Sequence, residues 1–191
     1  MTPLDLTLAR ITADPRYQRN LAWGEPRAGH PEGTIAAHIR DLERNLDRLA
    51  PKLSEEEIGK LRILIHVHDT FKPGATDGVP IRDPRSHASL ARAFLAEFTD
   101  EAELLDIVQN HDEPYALFLR ARRGAGPPDS ARWAALREKI RDWDLFIAFT
   151  LIDGSTPGKG RQPLIWLLTQ LQHDGIATRF GLDDVAALAS R

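Results

Sequence analysis

The chain has 191 residues, is 42% hydrophobic and 28% charged, and balances 25 Lys and Arg against 28 Asp and Glu for a formal charge of −3. That is the size and composition of one ordinary globular domain, 1–191, and it excludes collagen-like, wholly disordered and strongly basic nucleic-acid-binding classes. There is no Cys, so a disulfide framework, a Cys-ligated zinc, an iron–sulfur cluster and a Cys nucleophile are excluded as well.

The opening residues carry Asp5 and Arg10 and no apolar run of signal-peptide length. No stretch reaches the ~18 apolar residues that read as a membrane span. A cytoplasmic protein without a membrane partner is therefore expected. The first dozen residues suit a short helix. Ile35, Ile39, Leu42, Leu46 and Leu49 recur at helical spacing, with Thr34 as N-cap and Pro51 as terminator. Ser54 and Glu57 have capping-box spacing ahead of a helix with Ile58, Leu61, Leu64 and Ile65. After a loop over 72–84, a third helix carries Leu90, Ala91, Phe94 and Phe98, and a fourth Leu104, Leu105 and Val108. A second loop covers 123–128. One long fifth helix then carries Trp133, Leu136, Ile140, Trp143 and Ile147, and two shorter ones cover Leu164 to Leu171 and Val185 to Ala189. No alternating strand pattern competes. The expected fold is an all-α, single-domain helical bundle.

Four of the seven histidines fall on apolar stripes. His38 is three residues after Ile35, His68 four after Leu64, His87 four before Ala91, and His111 three after Val108. Asp69 adjoins His68, and Asp153 follows Phe149 by four on the long helix. One such His is usually a hydrogen-bonded core residue. Four of them with two carboxylates are costly to bury together unless they pair or hold a cation. Imidazole and carboxylate donors suit divalent Mn, Fe, Co, Ni or Zn, so one or two such metals per chain are expected.

The order His38, His68-Asp69, Asp153 resembles the HD-domain superfamily of metal-dependent phosphohydrolases over a motif core of about 33–153, with helices in 162–191 expected to pack on it. His87 and His111, between the doublet and the last Asp, match the extra histidines of its two-metal subgroup. The resemblance implies that His38, His68, Asp69 and Asp153 hold one metal and that Asp69 bridges to a second, held also by His87 and His111. It further implies a metal-activated water attacking a small phosphorylated substrate, with Asp69 and Lys72 as the catalytic residues.

Lys72, in HDTFK, resembles the HD-x-x-K pattern in which a Lys meets substrate phosphate; the alternative is a solvated Lys at a helix end. Asp112 is read either as a partner of the metal shell or as a plain helix-end carboxylate. The segment after Asp153, GSTPGKGRQP, fails as a P-loop, yet Lys159 and Arg161 on it are candidate anion contacts. Arg82 and Arg85 are further candidates. His30 and Glu32 lead into the His38 helix and either overhang the site or merely shape that turn. His66, two residues before His68, and His173 are read as outside the site. No signature of a cyclic-dinucleotide, alarmone or triphosphate hydrolase is present, which leaves a small phosphate ester, with a nucleotide among the candidates. An HD-type mixed-valence di-iron oxygenase uses the same six ligands and stays open as an alternative, as does a non-catalytic ligand-binding module.

Overall fold

The structure is a computed structural model that describes residues 1–124 and 130–189. In chain order the helices are α1 (Pro3–Ala13), α2 (Pro15–Asn20), α3 (Ile35–Leu49), α4 (Glu55–Val67), α5 (His87–Leu95), α6 (Ala102–Asn110), α7 (Glu113–Arg122), α8 (Ser130–Lys139), α9 (Trp143–Gly154), α10 (Gln162–His173) and α11 (Leu182–Ala189), with 3₁₀ turns at Ala50–Lys52 and Lys72–Gly74. Among the described residues there is no strand; Arg27 and His30 form an isolated bridge. No helix there is long and apolar enough to cross a membrane. The loop expected over 123–128 lies mostly outside the described residues.

The helix starts follow the local chemistry. The Thr34 hydroxyl accepts from the Ala37 amide at α3, and Ser54 and Glu57 close the expected capping box at α4. Helix α3 is amphipathic and buries Ile35, His38, Ile39, Leu42, Asn45, Leu46 and Leu49. Helix α9 is different: Leu145 through Phe149, Leu151 and Ile152 are all buried, so it is enclosed on every side. It runs through the middle of the bundle, against α3, α4, α10 and α11. Side chains from every α-helix join one apolar core, and each fully buried Leu, Ile or Phe in it stabilises the fold by about 1.5–3 kcal/mol. Helix α10 packs on α7 and α9, and α11 on α3, α9 and α10.

The long fifth helix is corrected to two. Helix α8 ends at Lys139 and α9 begins at Trp143, where the Asp142 carboxylate accepts from the Leu145 amide. Phe98 likewise lies beyond the end of α5. Helix α7 was not anticipated from the sequence. Gly154 lets α9 meet α10 closely: a Cβ there would sit 2.8 Å from Leu164 Cδ2.

Candidate metal centre

The six expected ligands converge from five helices or their ends. His38 is in the first turns of α3; His68 caps the C-terminus of α4, with Asp69 just beyond it. His87 opens α5, His111 caps the end of α6, and Asp153 is near the end of α9. Their donor atoms form two adjoining groups within metal-binding reach: His38, His68 and Asp153, then Asp69, His87 and His111.

Asp69 stands between the groups and turns one oxygen to each. Its Oδ2 lies 3.5 Å from His68 Nε2 and 3.8 Å from His38 Nε2. Its Oδ1 lies 3.7 Å from His111 Nε2 and 3.8 Å from His87 Nε2. Asp153 Oδ1 is 3.0 Å from His38 Nε2 and 3.8 Å from His68 Nε2. The Nε2 atoms of His87 and His111 approach to 3.2 Å.

The backbone decides which ring nitrogens face inward. His68 Nδ1 meets the Leu64 and Ile65 carbonyls at 3.2 and 3.1 Å, and His111 Nδ1 meets the Val108 carbonyl at 2.7 Å. Carbonyls only accept, so these Nδ1 atoms carry the protons and each Nε2 offers its lone pair to the cluster when the ring is neutral. His68 Nε2 is fully buried and has no hydrogen-bond partner. A buried lone pair left unmatched costs about 1–3 kcal/mol, and a cation among these donors would satisfy it. The donor set of imidazoles and carboxylates fits the divalent transition metals expected from the sequence.

Charge is arranged unevenly. Burial dominates at His68 and pushes it down to about 3, so the ring is neutral. At His38 burial acts in the same direction, but the contacts with Asp153 and Glu32 outweigh it and carry the ring up to about 9. At His111 burial is likewise overcome, by Asp112 and Asp69, again to about 9. Asp69 and Asp153 stay well below the usual carboxylate range despite burial, because Lys72 and His111 face the first and Lys159 and His38 the second. Lys72 Nζ is 2.5 Å from Asp69 Oδ2, and Lys159 Nζ is 2.7 Å from Asp153 Oδ1. Lys72 is thus no solvated helix-end residue.

A cavity of about 1110 Å³ opens onto the second group, with Lys72, His87 and Asp112 on one side and Trp23, Arg27 and Arg82 among its other walls. Asp112, half exposed, reaches His87 Nε2 at 3.2 Å and His111 Nε2 at 3.7 Å. Of the two candidate anion contacts on the loop before α5, Arg82 lines this cavity. Arg85 instead pairs with Asp83 and is two-thirds exposed, outside the cavity lining. The Arg161 guanidinium donates to the Gly154, Ser155 and Lys159 carbonyls. Those carbonyls hold Arg161 as a clamp on the turn that carries Lys159. His30 contacts Glu32 at 3.0 Å. His66 meets Tyr17 Oη at 2.5 Å, away from the cluster, and the His173 side chain is exposed.

Sequence reasoning missed Trp23 and Asn110 in the cavity wall. Neither stands out by type or spacing in the sequence. Compared with known proteins, no family profile, no curated protein and no solved structure matches this chain.

Proposed function

We propose that the protein is a metal-dependent phosphohydrolase on an HD-type helical domain, acting on a phosphate ester. One observation carries the reading: Asp69 splits its two carboxylate oxygens between two His-containing groups of donors. A carboxylate can ligate two cations this way, and a neutral imidazole has only one lone pair to offer. Divalent transition metals bound there would supply Lewis-acid charge and an acidified water.

The chain's own residues supply the rest. His38, His68 and Asp153 would hold one cation, His87 and His111 the other, with Asp69 between them. Lys72 lines the cavity beside Asp69, so its ammonium is placed to oppose charge on the phosphoryl oxygens. Arg27 and Arg82 on the cavity wall suit further anionic groups of the substrate. The cavity volume exceeds what a phosphoryl group alone needs, and it is at the upper end of ligand-site sizes. Hydrolysis by activated water needs no side-chain nucleophile, in keeping with a chain that has no Cys.

The test is elemental analysis of protein purified without chelator, followed by a phosphoester panel with added Mn²⁺. Bound transition metal with metal-dependent phosphate release is expected. Absence of metal at any concentration of Mn, Fe, Co, Ni or Zn would overturn the reading. Iron with dioxygen-dependent turnover and no phosphate release would replace it with the oxygenase.

A further inference from the structure

The rings of the centre differ in how their outward nitrogens are held. His68 and His111 sit at helix C-termini, where carbonyls of their own last turn take the Nδ1 protons. His38 lies inside the first turns of α3, where the helix's own hydrogen bonds occupy the carbonyls. Its Nδ1 instead lies 2.9 Å from Glu32 Oε1, off the line of an ideal hydrogen bond. The same oxygen lies 3.0 Å from His30 Nδ1.

Glu32 is an unusual residue to find there. Its side chain is 6% exposed, and its Oε2 is buried with no hydrogen-bond partner. Burying an ionised carboxylate with one oxygen unmatched is costly unless the other oxygen is strongly used. The turn that carries it is tightly built. Gly24 at φ +110° passes so close to the Gly33 carbonyl that a Cβ would come within 2.5 Å. Gly158 at φ +82° packs on Pro31, which brings the Lys159 loop against the Glu32 loop. Glu32 is thereby fixed in place from both sides.

We propose that Glu32 is a positioning residue for the metal centre: it keeps a proton on His38 Nδ1, so that in the neutral ring the Nε2 lone pair faces the space bordered by Asp153 and Asp69, where a cation would bind. Resting on the metal reading above, this makes the His38 group dependent on a loop outside the helical core. Among the described residues the Glu32 side-chain contacts are with His30 and His38, and none reaches the His87 group. Carboxylates behind metal-ligating histidines fix tautomer and ring orientation, and losing one costs about 10–100-fold in metal affinity.

The experiment titrates cobalt(II) into the metal-free full-length protein and reads the visible absorption, with each binding step assigned by His38→Ala and His87→Ala. Glu32→Ala is expected to weaken the step lost in His38→Ala by about 10–100-fold. The step lost in His87→Ala should stay within about twofold, because separate sites act additively. Glu32→Gln keeps an acceptor oxygen and should recover much of the loss. Thermal unfolding of each variant confirms that the fold is intact. Wild-type affinity at both steps in Glu32→Ala would overturn the proposal, and so would an equal loss at both, which would mean that Glu32 acts through the fold. A third cobalt lost only in Glu32→Ala would overturn it too, by making His30, Glu32 and His38 a ligand set of their own. No cobalt bound by wild type is the separate outcome that removes the metal reading itself.

Discussion

The two donor groups are built from the same residue types but in different surroundings. The His38 group is walled in: His38 and His68 are almost fully buried, and none of its three residues lines the cavity. The His87 group borders the cavity through His87, with half-exposed Asp112 beside it. The first is suited to holding a cation permanently, with Lys159 and Glu32 closing it off. The second borders the cavity, where the proposed reading has substrate meet the centre, and Lys72 stands on that side. Phe149 gives both an apolar floor, its ring 5.2 Å from that of His68 and 6.4 Å from that of His111. Similar donor sets thus differ in exposure, and on the proposed reading that difference would divide their roles.

Asp69 is where that contrast can be broken most completely. Asp69→Ala should abolish binding of both cations and all metal-dependent activity, because each group loses one oxygen of the shared carboxylate. His87→Ala should remove one cation and leave the His38 group loaded. Metal content per chain, measured beside activity, checks both. Equal losses from the two changes would merge the groups into one site.

Lys72→Ala should separate substrate handling from metal holding. Removing a charge aimed at the reacting oxygens typically costs about 10²–10³ in rate. A fall of that size in kcat/KM at unchanged metal content is expected. Unchanged kinetics would leave Lys72 as a counter-charge for Asp69 only. Arg in its place should rescue poorly, since a planar fork does not replace a compact ammonium.

Much of this was legible in the sequence, for physical reasons. Amphipathic helices such as α3 announce themselves by spacing, and Thr34, Ser54 and Glu57 mark helix starts because their side chains bond specific amides. Four of the six candidate ligands stood out as histidines on apolar stripes, Asp69 and Asp153 by their places beside His68 and four after Phe149, and the resemblance joined the six into one set. The break before α9 stayed hidden because Trp133, Leu136, Ile140, Trp143 and Ile147 keep one helical register across it. Only the bond from Asp142 to the Leu145 amide reveals the new start. Enclosed on all sides, α9 has no polar face to reveal its period. Arg161 looked like an anion contact because its backbone partners are fixed by the turn that precedes it. Glu32 was seen only as near the site, since its burial depends on two loops meeting.

The groups also differ in protons, which predicts a pH dependence for the chelator-treated protein. His38 and His111 titrate near 9 in the fold against an ordinary 6.5. The folded state therefore binds more protons between those values, and stability falls as pH rises from 6.5 to 9. His68 is the reverse: at about 3 in the fold, it makes stability fall as pH drops from 6.5 toward 3. The metal-free protein should melt highest near pH 6.5, each proton contributing at most about 1.4 kcal/mol per pH unit. Bound metal requires deprotonated ligands and should flatten the decline above 6.5. Melting temperatures from pH 4 to 9, with and without Mn²⁺, check this; a metal-free maximum at pH 8 or above would contradict it.

The smallest expected effect is the most local, and it uses the two helix caps nearest the groups. Thr34 caps α3 four residues before His38, and Ser86 caps α5 immediately before His87. Replacing either by Ala removes a side-chain acceptor from a helix N-terminus, at a cost of about 0.5–2 kcal/mol. Ser86 does more than cap: its hydroxyl also donates to the Ile81 carbonyl at 2.6 Å, tying the cavity loop to α5. Arg82 is the next residue on that loop and lines the cavity. Ser86→Ala should therefore weaken cation binding at the His87 group and raise KM. Thr34→Ala should cost similar stability, shift only the His38 group and leave KM unchanged. Denaturant unfolding, cobalt titration and kinetics on the same two variants decide the matter. If both caps affect both groups alike, the walled-in and cavity-facing halves are one mechanical unit, and the difference in exposure does not make them independent.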